Sequence, residues 1–324
     1  SYDPVLRQEI RPALLFIPFS TLTGDPALSP LILGLAEDLL LRLNPNKLVD
    51  LRVASMGRGP DGEVINSFDA ASVPADSDAR FILHGHVQAG DGSLRLYVSL
   101  TDARDNRRIW TEKFDLPYPS RTFLETQEAV SAQIVGALVD SFGIIARLLM
   151  QEVSYLDLNK ANSYETSLLY YIWESTQDKG NYIRAIQGIE RSLATDPYNQ
   201  SLLAGLSRLY SADHHYAFNR IPENLNKSMD LAKMATGIDD GAPLGRLAMA
   251  YSLFVQGRKQ ALDETLKIML SMDLTPYALS LAGFFTGLAF DLEEGMALQE
   301  KAAGLNPRQP GYHQIVPFIY HYSR

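Results

Sequence analysis

A chain of 324 residues is long enough for two domains of ordinary size, and 46% hydrophobic with 21% charged residues is a globular composition. The net charge of −9 and pI near 5.2 argue against a bulk nucleic-acid surface, which needs clustered Lys and Arg. Zero cysteines exclude disulfides and thiolate metal sites without fixing the compartment. No uninterrupted run approaches the roughly 18 apolar residues of a membrane span, so none is expected; the densest stretches are 13–19 and 143–150.

The chain opens Ser1-Tyr2-Asp3-Pro4, without Met and without a signal-peptide pattern. That start leads us to expect an excised or processed piece of a longer protein. Ala13-Leu14-Leu15-Phe16-Ile17-Pro18-Phe19 reads as a buried strand that Pro18 places near an edge or an end. A loop follows with a turn at Gly24-Asp25-Pro26, and Ser29-Pro30 supplies an N-cap and first-turn proline for a helix to about Leu43. In that helix Leu31, Leu35, Leu39 and Leu43 recur at i+4, and Asn44-Pro45-Asn46 ends it. Val49 to Ala54 is the second strand.

Residues 56–78 are weakly patterned, with a short helix considered near Phe68. Three apolar runs then read as an antiparallel meander: 81–87, 94–100 and 108–114, separated by Gly90-Asp91-Gly92 and a polar corner. In the middle run Leu94, Leu96, Val98 and Leu100 fall on one face, with Arg95, Tyr97, Ser99 and Thr101 on the other. A helix starts near Ser120 and is expected to run past Met150. The order predicts a mixed sheet covered by helices.

Several phrases of this region resemble the TolB-amino-terminal-like (FlgO-like) domain. They are Phe16 to Pro26 followed by Gly34-Leu35-Ala36-Glu37-Asp38-Leu39, then Leu51-Arg52-Val53, Ala79 to Val87, Leu100-Thr101-Asp102-Ala103 and Ile109 to Asp115. The resemblance covers about residues 12–140. It departs at 57–78, where the family carries a regular helix, and at His84, where an acidic residue is common.

From Ala161 onward paired amphipathic helices replace strands. One second helix ends at Asp196-Pro197 and another at Asn306-Pro307, 307 − 197 = 110 residues apart, about three repeats of roughly 34 with a few residues left over. Two units fit between them, one with Leu206, Tyr210, Ala232, Ala235 and Ile238, the other with Leu247 to Tyr251, Gly257 and Ala261. The surplus falls in a polar loop at 211–222. This resembles a tetratricopeptide-repeat (TPR) array of about four units, in which Ala185, Ala235 and Ala302 let paired helices approach. Residues 312–322 read as the start of a capping helix. The expected fold is therefore α+β: a mixed α/β domain with an antiparallel meander at 1–150, then an all-α TPR-like domain at 151–324.

Chemistry-bearing patterns are few. Gly57-Arg58-Gly59-Pro60-Asp61-Gly62 spells G-x-G-x-x-G, but Pro60-Asp61-Gly62 reads as a turn and no helix opens there to face a pyrophosphate, so no cofactor is expected. His84 and His86, at i and i+2 on a strand, leave the same face as a metal pair would, yet no third ligand has motif spacing to them. His214-His215 sit in a polar loop as a solvated pair. Trp110 and Trp173 are expected in the core, and Glu293-Glu294 complement a helix N-terminus. No nucleophile elbow, phosphate-binding loop or paired-carboxylate motif stands out, and no enzyme is expected.

TPR arrays bind protein segments along the face lined by each repeat's first helix. Carried onto this sequence, the resemblance implies a groove of Tyr170, Glu174, Gln177 and Asp178, with Arg208 from the next repeat; an ordinary solvated helix face is the alternative. The two-part organisation resembles the C-terminal region of CadC-like transcriptional regulators and of some class III nucleotide cyclases. It implies a sensing or protein-interaction part of a bacterial regulator without DNA contacts or catalysis of its own. A cyclase's regulatory region and a free-standing scaffold are the alternatives. A protein or peptide is the expected partner and a homodimer is compatible. The cytoplasm and the periplasmic side of an anchored regulator both remain open.

Overall fold

The computed structural model describes residues 11–21, 28–44, 48–54, 78–90, 92–218 and 220–322. The turn read at Gly24-Asp25-Pro26, the helix stop at Pro45-Asn46, the motif at 57–62 and the helix considered near Phe68 lie outside these residues. The chain divides into two units, Arg11–Val139 and Asp140–Arg324, so the boundary falls before the 150 read from the sequence.

In the first unit, β1 (Ala13–Phe16) pairs in parallel with β3 (Asp50–Val53) and with β4 (Phe81–Gly90). A two-residue strand, β2 (Ser20–Thr21), also pairs in parallel with β4 where a loop was expected. The meander continues antiparallel through β5 (Ser93–Asp102) and β6 (Arg107–Pro117), giving the order β3-β1-β4-β5-β6. The register sets Leu83 beside Leu100 and Val87 beside Leu96, and Leu96 in turn beside Phe114, so the buried apolar residues share one face. Ala13, Leu15, Ala79 and Ile82 form a smaller apolar cluster with Ile17 and Ala54.

Helix α1 (Ser29–Leu43) buries Ile32, Leu35, Ala36, Leu39 and Leu43. Its Pro30 lies in the first turn as expected, but Leu28 rather than Ser29 holds the cap position, without a side-chain cap bond. It packs against α2 (Phe123–Val139), which also packs on β6 and buries Phe123, Val130, Ile134 and Leu138. Trp110 is only half-buried, because β6 lies at the sheet's edge.

The helix expected from Ser120 past Met150 is two helices, α2 and α3 (Ile144–Val153), interrupted at 140–143. The break is built on Asp140, whose buried side chain accepts hydrogen bonds from Tyr277 N–H at 2.9 Å, Asn306 Nδ2 at 2.8 Å and Gln309 Nε2 at 2.9 Å. By length and composition the stretch Phe123–Val153 is long and apolar enough to cross a membrane, which corrects the expectation drawn from uninterrupted runs. Of its most apolar window 72% is buried inside the structure, as in a core helix.

The second unit is built of helix pairs. They are α4 (Ser163–Thr176) with α5 (Lys179–Leu193), α6 (Gln200–His215) with α7 (Asn224–Ile238), α8 (Pro243–Val255) with α9 (Lys259–Leu270), and α10 (Pro276–Ala289) with α11 (Leu292–Leu305). A 3-10 turn (Gly311–Gln314) and α12 (Ile315–Tyr322) follow. Ala185, Ala235 and Ala302 are fully buried between helices, as their small size requires. At Gly295 a Cβ would lie 2.4 Å from Gly287 backbone atoms, so α10 and α11 touch backbone to backbone there. Gly257 turns the chain from α8 into α9 at φ +67°.

The loop expected at 211–222 starts later, because α6 continues to His215. Asp213 secures this end: its carboxylate accepts from Tyr182 Oη at 2.9 Å, Asn224 Nδ2 at 3.0 Å and the N–H groups of Arg220 and Ile221. His214 and His215 are exposed in the last turn of α6. Trp173 is core, edge-on to Tyr182 and Tyr216.

Candidate functional site

Three of the four first helices of the repeat array start from a side-chain cap. An Asn162–Glu165 capping box opens α4, Asn199 caps α6 and Thr275 caps α10. With α4 so registered, Tyr170 and Glu174 lie one turn apart on the same face. Arg208 meets them from α6, Tyr251 from α8, Tyr277 from α10 and Tyr312 from the 3-10 turn.

Three of the five residues assigned to an open groove are therefore interior. Tyr170, Glu174 and Arg208 are 3%, 1% and 4% exposed, because side chains from α10 and the turn after α11 close over the inner face. This corrects the reading of that face as solvent-lined at those positions. Gln177 and Asp178 lie at its edge: Gln177 caps α4 with φ 54° and accepts from the Tyr216 hydroxyl, while exposed Asp178 caps α5 by accepting from Asn181 N–H at 2.8 Å.

Burying an ion pair costs desolvation that the mutual attraction offsets only when further hydrogen bonds satisfy both ions. Here Arg208 Nη2 lies 2.6 Å from Glu174 Oε1. The Tyr312 hydroxyl donates to Oε1 and the Tyr277 hydroxyl to Oε2, so both carboxylate oxygens are engaged. Arg208 Nη1 donates to Tyr277 Oη, and the guanidinium stands 4.7 Å from the Tyr170 ring centroid and 5.5 Å from those of Tyr251 and Tyr277. Burial pushes the hydroxyls of Tyr170, Tyr277 and Tyr312 well above the ordinary phenol range. Burial also opposes the charge on Arg208, but Glu174 and the surrounding tyrosines hold it cationic. Arg208 Nε and His313 Nε2 are buried with no hydrogen-bond partner among the described residues; each such group costs about 1–3 kcal/mol.

His313 extends the cluster. Its Nδ1 lies 2.8 Å from Ser280 Oγ, its ring stacks on Tyr277 at 5.8 Å, and burial followed by the Arg208 charge lowers its pKa to about 3. The site thus joins one cation, one carboxylate, several phenols that stay protonated and a neutral imidazole. It offers hydrogen-bond donors and acceptors around one buried ion pair.

On the sheet, His84 and His86 do share a face, with Ser99 and Tyr97 beside them. His84 Nε2 lies 3.3 Å from Thr101 Oγ1, and His86 stacks on Tyr97 at 4.8 Å. Burial, then Arg108 and His86, lower the His84 pKa to about 4. Among the described residues no group of three His, Cys, Asp or Glu is placed to hold a metal ion.

Asp140, Tyr251, Tyr277, Tyr312 and His313 were not singled out from the sequence. The available signal was Glu174 and Arg208, each a charge inside an otherwise apolar helical stretch, Tyr-Tyr-Ile-Trp-Glu and Leu-Ser-Arg-Leu-Tyr. Their closing partners come from as far as 138 residues away in the chain.

No known family model matches the chain. It is 23% identical over 261 residues to a Rhizobium meliloti (strain 1021) protein named "Putative adenylate cyclase 3", a match spanning 78% of this chain and 42% of that protein. The chain thus spans less than half the length of that curated relative. Among solved structures it is similar over 62% of its length to a thermophilic TPR protein of Thermus thermophilus, with a TM-score of 0.40, 16% identity and 91% of that chain covered. It is similar over 38% of its length to TolB of Acinetobacter baumannii, with a TM-score of 0.25, 17% identity and 26% of that chain covered. The helical unit's assignment as TPR-like rests on its own helix pairs.

Proposed function

We propose that this chain is a non-enzymatic, protein-interacting regulatory region of a larger bacterial signalling protein. The observation that carries this reading is the array of helix pairs whose first helices converge on one polar-aromatic inner face, with Gln177 and Asp178 at its accessible edge. Tyr170, Glu174 and Arg208 contribute from within that face. The sheet unit is the accompanying sensory module.

For the parent protein, the likeness to the Rhizobium protein over 78% of this chain supports a nucleotide-cyclase setting. The transcriptional-regulator setting is supported by the residue pattern over 12–140 and stands second. The test is cyclic-nucleotide formation from ATP and GTP by the natural protein that carries this region. Formation is expected, with none from residues 1–324 alone. A folded parent protein without turnover overturns the cyclase setting, and turnover by residues 1–324 overturns the non-enzymatic reading. Capture of a binding protein by the chain, weakened by Gln177→Arg, is the matching test of the interaction role.

A further inference from the structure

The inner face is closed by the chain itself. After α11 the segment 306–314 leaves helical structure at Asn306-Pro307 and re-enters it only at the 3-10 turn. Between these points it is held mainly by side chains. Asn306 Nδ2 and Gln309 Nε2 both donate to Asp140, at 2.8 and 2.9 Å. The Tyr312 hydroxyl donates to Glu174, and His313 pairs with Ser280 at 2.8 Å. Phe284 packs edge-on to Tyr312.

We infer that residues 306–314 are a displaceable strap, and that the face beneath them accepts a partner segment of the same chemistry once the strap leaves. This rests on the interaction role proposed above. The chemistry of that partner can be read from the strap. The face offers two buried carboxylates, Asp140 and Glu174, and each is met by neutral donors: two side-chain amides and a phenol. An acidic segment would bring its charge against those carboxylates. A basic one would find Glu174 already matched by Arg208, and the strap's own cation, Arg308, points to an exposed position. The fitting partner is therefore a short peptide without acidic residues, whose contacting side chains are uncharged: Asn or Gln and, a few residues on, Tyr-His.

Release has a structural basis. Regular backbone pairing ties residues 307–310 to no helix or strand, Pro307 and Pro310 remove two donors from the segment, and buried Arg208 Nε and His313 Nε2 leave the closed network incompletely satisfied.

The test uses the full chain and a fluorescent synthetic peptide of residues 306–322. In the chain carrying Tyr312→Phe and Gln309→Ala, the internal strap loses two hydrogen bonds with little loss of packing, and the peptide binds. The unaltered chain, whose strap competes at high effective concentration, needs on the order of a hundredfold more peptide. A peptide bearing the same two substitutions binds neither. A folded variant that binds no better than the unaltered chain overturns the strap.

Should the variant not fold, hydrogen exchange on the unaltered chain decides. Amides of 311–322 are expected to exchange in an opening that leaves α10 and α11 protected; exchange together with α10 overturns the proposal. Loss of peptide binding alongside partner capture by the unaltered chain removes the strap and keeps the interaction role. Peptide binding with no partner captured does the reverse.

Discussion

The two units enclose charge to different depths. In the sheet unit the apolar face of the meander is buried and pairs such as Arg95–Asp115 and Arg107–Asp105 stand at the surface, while buried Asp102, at the end of β5, is met by Arg104 and Arg80 from the rim. In the helical unit a carboxylate and a guanidinium lie at the centre of the inner face, enclosed by tyrosines. A strand alternates its faces, so register separates polar from apolar side chains, although Ser99 and Thr101 on the polar face of β5 are themselves buried. A repeat array sorts them only by where its inner face leads, and here that face closes on itself. An amphipathic pattern thus places the buried apolar face in the first unit and misleads about the exposure of the polar face in the second.

Glu174→Ala is the strongest attempt to break this contrast. It leaves Arg208 buried without its counter-ion and is expected to destabilise the helical unit by about 3–5 kcal/mol in urea unfolding followed by tryptophan fluorescence. A loss too small to measure would place the pair in the same category as the surface pairs of the sheet.

The pH dependence sharpens the contrast next. His313 is held neutral in the folded state, its pKa lowered from 6.5 to about 3 by burial and then by Arg208. Protonation therefore favours the unfolded chain. The stability it contributes is complete above pH 6.5 and is lost as pH falls toward 3, on the order of 5 kcal/mol at 1.36 kcal/mol per unit. His84 acts in the same direction between 6.5 and about 4, less strongly because it is less buried. Denaturant midpoints measured across this range should fall more steeply for the helical unit, and His313→Gln should flatten that slope.

Gly295→Ala tests the backbone contact of α10 with α11. The added methyl meets Gly287 backbone that cannot rotate away, and a loss of about 1–3 kcal/mol is expected by thermal unfolding. Smallest of all, Arg95→Ala on the sheet should leave the Tm unchanged within error, since both members of its pair are exposed. A clear shift there would erase the distinction between the units.

Much of the architecture was legible. The alternation in Leu94-Arg95-Leu96-Tyr97-Val98 placed β5 and its buried face, and Asp196-Pro197 with Asn306-Pro307 marked the ends of α5 and α11 within a few residues. The structure brings Tyr170, Glu174 and Arg208 together, in the interior rather than along an open groove. The break at Asp140 was missed although Asp140, Ser141 and Gly143 are turn formers, because the apolar pattern resumes at once at Ile144. What stops the helix there is a set of donors at positions 277, 306 and 309.

The sequence by itself determined the elements and their faces, since periods of 2 and 3.6 are local properties of the backbone. Tertiary structure alone decided that the inner face is closed, because Tyr277 and Tyr312, more than a hundred residues from Glu174, supply the hydroxyls that make a buried charge tolerable there.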